Sequence, residues 1–239
     1  MSRVFAEKTN ILFKPFIKYN NAGVSGVKKV YFGIGGVLMI AATLVSDSAA
    51  VIAVYAAAAA LHEGGHLLAA RIMGIAVDEI RFGFSGVRIV TGERLLSYKK
   101  EFLLAFCGPL INLTVFFAIL AYFLLRGEFG EAYAATEKFF LFGEPTCKGV
   151  FGFLALSSLL QAAMNLLPIK SFDGGRMLYC LTARFLGIGA AEITVTVLSA
   201  LCALFLWTLA LYLMLRVAGG LGIFVFAACI FFGLREGDV

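Results

Sequence analysis

Apolar residues run along this chain in six blocks, broken by short polar stretches: residues 30–45, 49–73, 102–125, 149–169, 193–215 and 217–234. A helix needs about 20 mostly apolar residues, in a range of about 17–25, to cross the hydrocarbon of a bilayer. All six blocks are therefore predicted to be transmembrane helices. The first is the shortest, and Lys28 and Lys29 at its start can snorkel to the interface. Only Ser46-Asp47-Ser48 separates spans one and two, and little more than Arg216 separates five and six. Both pairs are expected as helical hairpins. One stretch keeps a different period. Over residues 77–90, Ile80, Phe82 and Phe84 alternate with Arg81 and Gly83, Ser85-Gly86 can turn the chain, and Val87 and Ile89 follow. Period two predicts a β-hairpin, with an irregular interfacial loop as the alternative. The expected fold is an all-α polytopic membrane protein of about six transmembrane helices, with a small membrane-associated β-hairpin between helices two and three.

Composition agrees with that pattern. The chain has 239 residues, of which 61% are hydrophobic and 15% charged, and its mean hydropathy is +0.94. Soluble domains carry about 25% charged residues, so a soluble globular domain is excluded. The five cysteines are scattered without CxxC spacing and read as small buried hydrophobes. Residues 1–29 are basic and mixed, and do not read as a cleavable signal. The expected organisation is a basic cytosolic segment (1–29), a six-span membrane domain (30–234, with its core at about 49–178) and a short tail (235–239).

The net charge of +5 would suggest nucleic acid in a soluble protein. Here the cations flank apolar spans, so no nucleic-acid partner is expected. Of the 20 Lys and Arg residues, all but Arg126, Lys138, Lys148 and Arg216 fall on one side of the six-span arrangement. The positive-inside rule then puts both termini in the cytosol, with span two running inward.

Span two carries the chemistry. Its sequence LHEGGHLL holds both histidines of the chain, His62 and His66, with Glu63 beside the first. On a helix, positions i and i+4 lie one above the other, so the two imidazoles can share one metal ion. Glu63, rotated about 100°, can reach water at the metal without ligating it. Zinc lowers the pKa of such water, and the Glu can take its proton. A satisfied buried His pair is the bland alternative, but ionisable residues in a membrane span are functional by default. Gly64 and Gly65 allow another helix to come close. A third ligand is needed, and no third His exists. Asp173, in NLLPIKSFDGGRML, is the carboxylate that stands out at the edge of a span. Pro168 breaks the helix before it, and Gly174 and Gly175 permit a sharp turn that could aim it at the histidines. An Asp-Gly-Gly loop without catalytic meaning is the alternative.

These residues resemble the site-2 protease family of intramembrane zinc metalloproteases. HEGGH matches the family's HExxH. NLLPIKSFDGG matches its second motif, an Asn, a Pro three residues on, then Asp-Gly. FCGPLINL resembles its glycine-proline-asparagine stretch. The resemblance implies one Zn2+ per chain held by His62, His66 and Asp173, with Glu63 as general base. It implies that Asn165, Pro168, Asn112 and Gly174 support the site or hold substrate; Asn112 could equally be a hydrogen bond between helices. The substrate would be a membrane-spanning or membrane-associated protein within the lipid bilayer. The outer loop 126–148 is too short for a PDZ domain. Six spans with cytosolic termini look most like the branch typified by stage IV sporulation protein FB, here without its CBS domain. That branch implies a pro-sigma factor substrate, a sporulation role and inhibitory membrane partner proteins. Lys170-Ser171-Phe172 departs from the usual Pro- and Leu-rich approach to the Asp. Two other readings stay open. One is a prenyl-protein protease using Glu192. The other is a non-proteolytic zinc-binding membrane protein, such as a sensor, a transporter or an inactive homologue. Spans five and six lack the polar groups a transporter would show.

Overall fold

The computed structural model describes residues 29–32, 48–83, 86–91 and 96–216. It contains a strand β1 (Lys29–Phe32), helix α1 (Ala49–Ile72), strands β2 (Val77–Gly83) and β3 (Gly86–Thr91), and helices α2 (Tyr98–Leu125), α3 (Phe129–Phe142), α4 (Cys147–Asn165), α5 (Asp173–Leu186) and α6 (Ile188–Arg216). Among the described residues, four helices are long and apolar enough to cross a membrane: α1, α2, α4 and, over Ile188–Tyr212, α6. The protein is thus an integral membrane protein built mainly of helices.

Helix starts follow local chemistry. Ser48, Ser97 and Thr146 cap α1, α2 and α4, their hydroxyl oxygens accepting from the backbone N–H groups of Val51, Lys100 and Gly149. α1 spans almost the range expected for span two. α2 begins four residues before the expected start, because Ser97 offers a cap and Glu101 suits the first turn. α4 stops at Asn165 rather than running on to Ile169. Pro168 excludes the residue before it from helical conformation, so the helix ends ahead of it.

The first expected span begins differently. Lys29–Phe32 is a strand, not the start of a helix, and its Val-Tyr-Phe run suits a pleated surface better than a helical one. The rest of that span, the turn at 46–47, the turn residues Phe84 and Ser85, and the sixth span (217–234) lie outside the described residues. β1 pairs in parallel with β2, and β2 pairs antiparallel with β3, in the order β1-β2-β3. In the backbone register Ile80 pairs with Ile89, Arg81 with Arg88 and Phe82 with Val87.

Two helices have no counterpart among the expected spans. α3 lies in what reads as an outer loop, and α5 follows directly on the Asp-Gly-Gly motif. At 14 residues each they are too short to cross, and their polar residues hide them from a search for apolar runs. α2 occupies the centre, packed on α1, α4 and α5; α4 also packs on α1 and α3, and α5 on α6. α1 turns Ala58, His62, Gly65, His66 and Ala69 inward, a stripe at helical spacing. The other three are small, so neighbouring backbones come close exactly where the histidines sit, the packing that membrane helices favour.

Candidate metal centre

His62 and His66 lie one turn apart on the packed face of α1, their rings edge to face with centroids 4.8 Å apart. Asp173 is the first residue of α5. All three side chains are buried. The two Nε2 atoms are 3.2 Å apart, and each is 3.1 Å from Asp173 Oδ2. Three potential ligand atoms thus form a small, nearly equilateral triangle.

That triangle fits a metal ion. A tetrahedral ion with ligands at about 2.0–2.1 Å would hold them about 3.3–3.4 Å apart, close to the separations found. The donor chemistry points the same way. His66 Nδ1 lies 2.7 Å from the carbonyl oxygen of Leu104, which can only accept, so the neutral ring carries its proton there. Its Nε2 then turns a lone pair toward a carboxylate oxygen, an arrangement that needs a cation between them. The Arg176 guanidinium, 3.8 Å from Asp173 Oδ1, favours the ionised carboxylate. The start of a helix also favours its charge.

Glycine lets these groups meet. A Cβ on Gly108 of α2 would run into the imidazoles of both His66 and His62. A Cβ on Gly65 would lie 2.6 Å from the carbonyl oxygen of Cys107. Gly64 meets nothing, so of the pair only Gly65 serves the close approach. Gly174 and Gly175 correct the sequence expectation. Neither has positive φ, and both sit in the first turn of α5. They do not make a sharp turn. Instead their missing Cβ atoms let α5 press on the backbone of Leu166, Leu167 and Ile169, which carries Asp173 to the histidines.

The other expected residues divide. Asn112 is wholly buried, 3.4 Å from His62 Nδ1 through its amide nitrogen, which also donates to Gln161 Oε1 at 3.0 Å. Asn165 donates to the carbonyl of Gln161 in its own helix, at 3.1 Å, and its side chain has no hydrogen bond to the triangle. Pro168 shapes the approach to Asp173: its carbonyl accepts from Ser199 Oγ at 3.3 Å, and that oxygen accepts from the Lys170 N–H at 2.8 Å. Glu63 follows His62 with its Oε2 buried and without a hydrogen-bond partner.

Sequence reasoning missed Arg176, Gln161 and Ser199. Arg176 lies 3.8 Å from Asp173 Oδ1 and 3.6 Å from Glu101 Oε1, tying α5 to α2. Its position three after Asp173 on one helix was a readable signal. Gln161 was readable as an amide within an apolar span. Ser199 gave no signal, because a lone Ser in a membrane helix is unremarkable.

Residues 49–208 match the family model described as Peptidase family M50. The chain belongs to that family. A solved structure described as "Site-2 Protease from Methanocaldococcus jannaschii" is similar to it with a TM-score of 0.58 at 17% identity, covering 93% of this chain and 94% of that one. At that identity the likeness speaks for the fold. A sequence comparison with curated proteins gives no match. The kinship read from HEGGH and NLLPIKSFDGG thus holds. M50 peptidases are zinc-dependent, and membership implies an intramembrane metalloprotease whose metal the His62, His66 and Asp173 group could hold.

Proposed function

We propose that the protein hydrolyses a peptide bond of a membrane-spanning or membrane-associated protein, with His62, His66 and Asp173 holding one Zn2+ and Glu63 as general base. The observation that carries this is the buried triangle of two Nε2 atoms and one carboxylate oxygen, beside a carboxylate oxygen of Glu63 that lacks a partner. Zinc in this site would supply Lewis acidity toward a peptide carbonyl and toward water. Glu63 takes a proton from the attacking water and returns it to the leaving amine nitrogen. Arg176 and the first turn of α5 keep Asp173 ionised and aimed. Gly108 and Leu104 hold the imidazoles in place.

A substrate helix hides its peptide bonds in its own hydrogen bonds, so it must unwind to be cut. The sheet β1-β2-β3 offers an edge at β3, unpaired among the described residues, along which an unwound segment can add as a strand. The charge asymmetry of the sequence supports a site opening to the cytosol, within a membrane unit of about residues 30–234 whose core is about 49–178. A pro-sigma factor as substrate, and control by inhibitory membrane partners, rest on the motif resemblance.

The test is cleavage of membrane-tethered candidate substrates by wild type and Glu63→Gln. The variant should keep its fold and its metal while cleavage drops by about 10²–10⁴-fold. Full cleavage by folded Glu63→Gln would sink the mechanism.

A further inference from the structure

The two imidazoles have different kinds of neighbour at Nδ1. His66 faces the Leu104 carbonyl oxygen, which can only accept, so its Nε2 lone pair is free. His62 faces the amide nitrogen of Asn112 at 3.4 Å, which can only donate. In this arrangement His62 keeps its proton on Nε2, and that N–H donates a hydrogen bond to Asp173 Oδ2, 3.1 Å away. A ring in that tautomer has no Nε2 lone pair to offer an ion. Behind Asn112 stands a second amide, Gln161 of α4, accepting from the same nitrogen at 3.0 Å.

We propose that Asn112 and Gln161 form a tautomer clamp for His62, and that their two amides turn over together when the centre takes up its ion. A half-rotation of Asn112 presents Oδ1 to His62 Nδ1. The matching rotation of Gln161 presents its Nε2–H to the same oxygen. Asn112 Oδ1 then accepts from His62 Nδ1–H and from Gln161 Nε2–H. The imidazole's proton count stays at one: the Nε2 proton passes to water, and water supplies one at Nδ1. His62 then matches His66, each with its proton facing an oxygen and its Nε2 lone pair facing Asp173. Metal-bound histidines are usually held in this way by an acceptor behind the ring. The clamp also gives Gln161 a role that an amide in an apolar membrane helix otherwise lacks. Asn112 and Gln161 are positioning residues, acting through His62.

The clamp rests on the reading of His62 as a ligand, and the experiment separates the two. Zn2+ affinity of the full-length protein in detergent is measured by chelator competition for wild type, His66→Ala, Asn112→Leu, Asn112→Asp and Gln161→Leu, with a thermal melt of each metal-free form. Wild type should bind and His66→Ala should not. Asn112→Leu, which keeps the volume but removes the acceptor, should weaken zinc by about 10–100-fold. Asn112→Asp, which can accept but not donate, should restore most of that loss. Gln161→Leu should weaken zinc less, and should cost little more when added to Asn112→Leu. The chain has only two histidines, so ¹⁵N-histidine spectra report each ring. Zinc-loaded wild type should show both rings protonated at Nδ1. Wild-type affinity in a folded Asn112→Leu variant overturns the clamp alone, as does an Asn112→Asp variant as weak as Asn112→Leu. No zinc on wild type overturns the clamp together with the metal reading.

Discussion

The two ends of helix α1 are packed in opposite ways. Near its start, Val51 meets Phe139 of α3 and Phe153 of α4, whose rings lie 5.5 Å apart. Bulk fills the space there, and the charges stay outside: Lys148 pairs with Glu128 and Glu131 at the surface. About two to three turns before its other end, small residues replace bulk. Gly65 and Gly108 bring α1 and α2 together around two imidazoles, and Gly174 and Gly175 bring in Asp173. An aromatic cluster tolerates changes of shape as long as volume is kept. A cluster of polar ligand atoms about 3 Å apart does not, because a shift near 1 Å can cost about 10²-fold in function. The first end holds helices together, and the second places atoms.

Substitutions can break that contrast. Gly108→Ala puts a methyl group where the imidazoles stand, so zinc affinity and cleavage should fall by about 10²-fold or more while the helices stay folded. Wild-type zinc affinity in that variant would show that the site is softer than its packing suggests. Phe139→Ala at the opposite end should do the reverse. It should cost about 3–5 kcal/mol in stability, read by thermal or denaturant unfolding, while the folded fraction keeps its zinc affinity. Loss of zinc from folded Phe139→Ala would mean that the two ends are coupled. Lys148→Met should change neither unfolding nor cleavage measurably, since exposed ion pairs contribute little.

The contrast also explains what the sequence makes legible. His62, Glu63 and His66 can be read because their spacing matches the helix period and they stand out against apolar neighbours. Asp173 can be read because few carboxylates lie near a span end. α1 can be read almost to the residue because it is apolar apart from the few residues of the motif and Arg71 near its end. α3 and α5 cannot be found that way, since neither is long nor apolar enough to register as a span. The strand Lys29–Phe32 is hidden because Val, Tyr and Phe are as apolar as a membrane helix, and only pairing with β2 distinguishes them. Gly174 and Gly175 are legible as glycines but not as to purpose: a turn and a close approach call for the same residue, and only coordinates separate the two. The Leu104 carbonyl that orients His66 has no side-chain signal at all, because any residue supplies one.

The central claim is that α1 and α5, distant in sequence, build one metal site. The most direct test is the metal content of detergent-purified protein, wild type beside His66→Ala and Asp173→Ala. The account predicts about one zinc per wild-type chain, sharply reduced in both variants while each remains folded. Zinc lost from His66→Ala but retained in full by Asp173→Ala would contradict it, since Asp173 would then stand beside the metal without holding it.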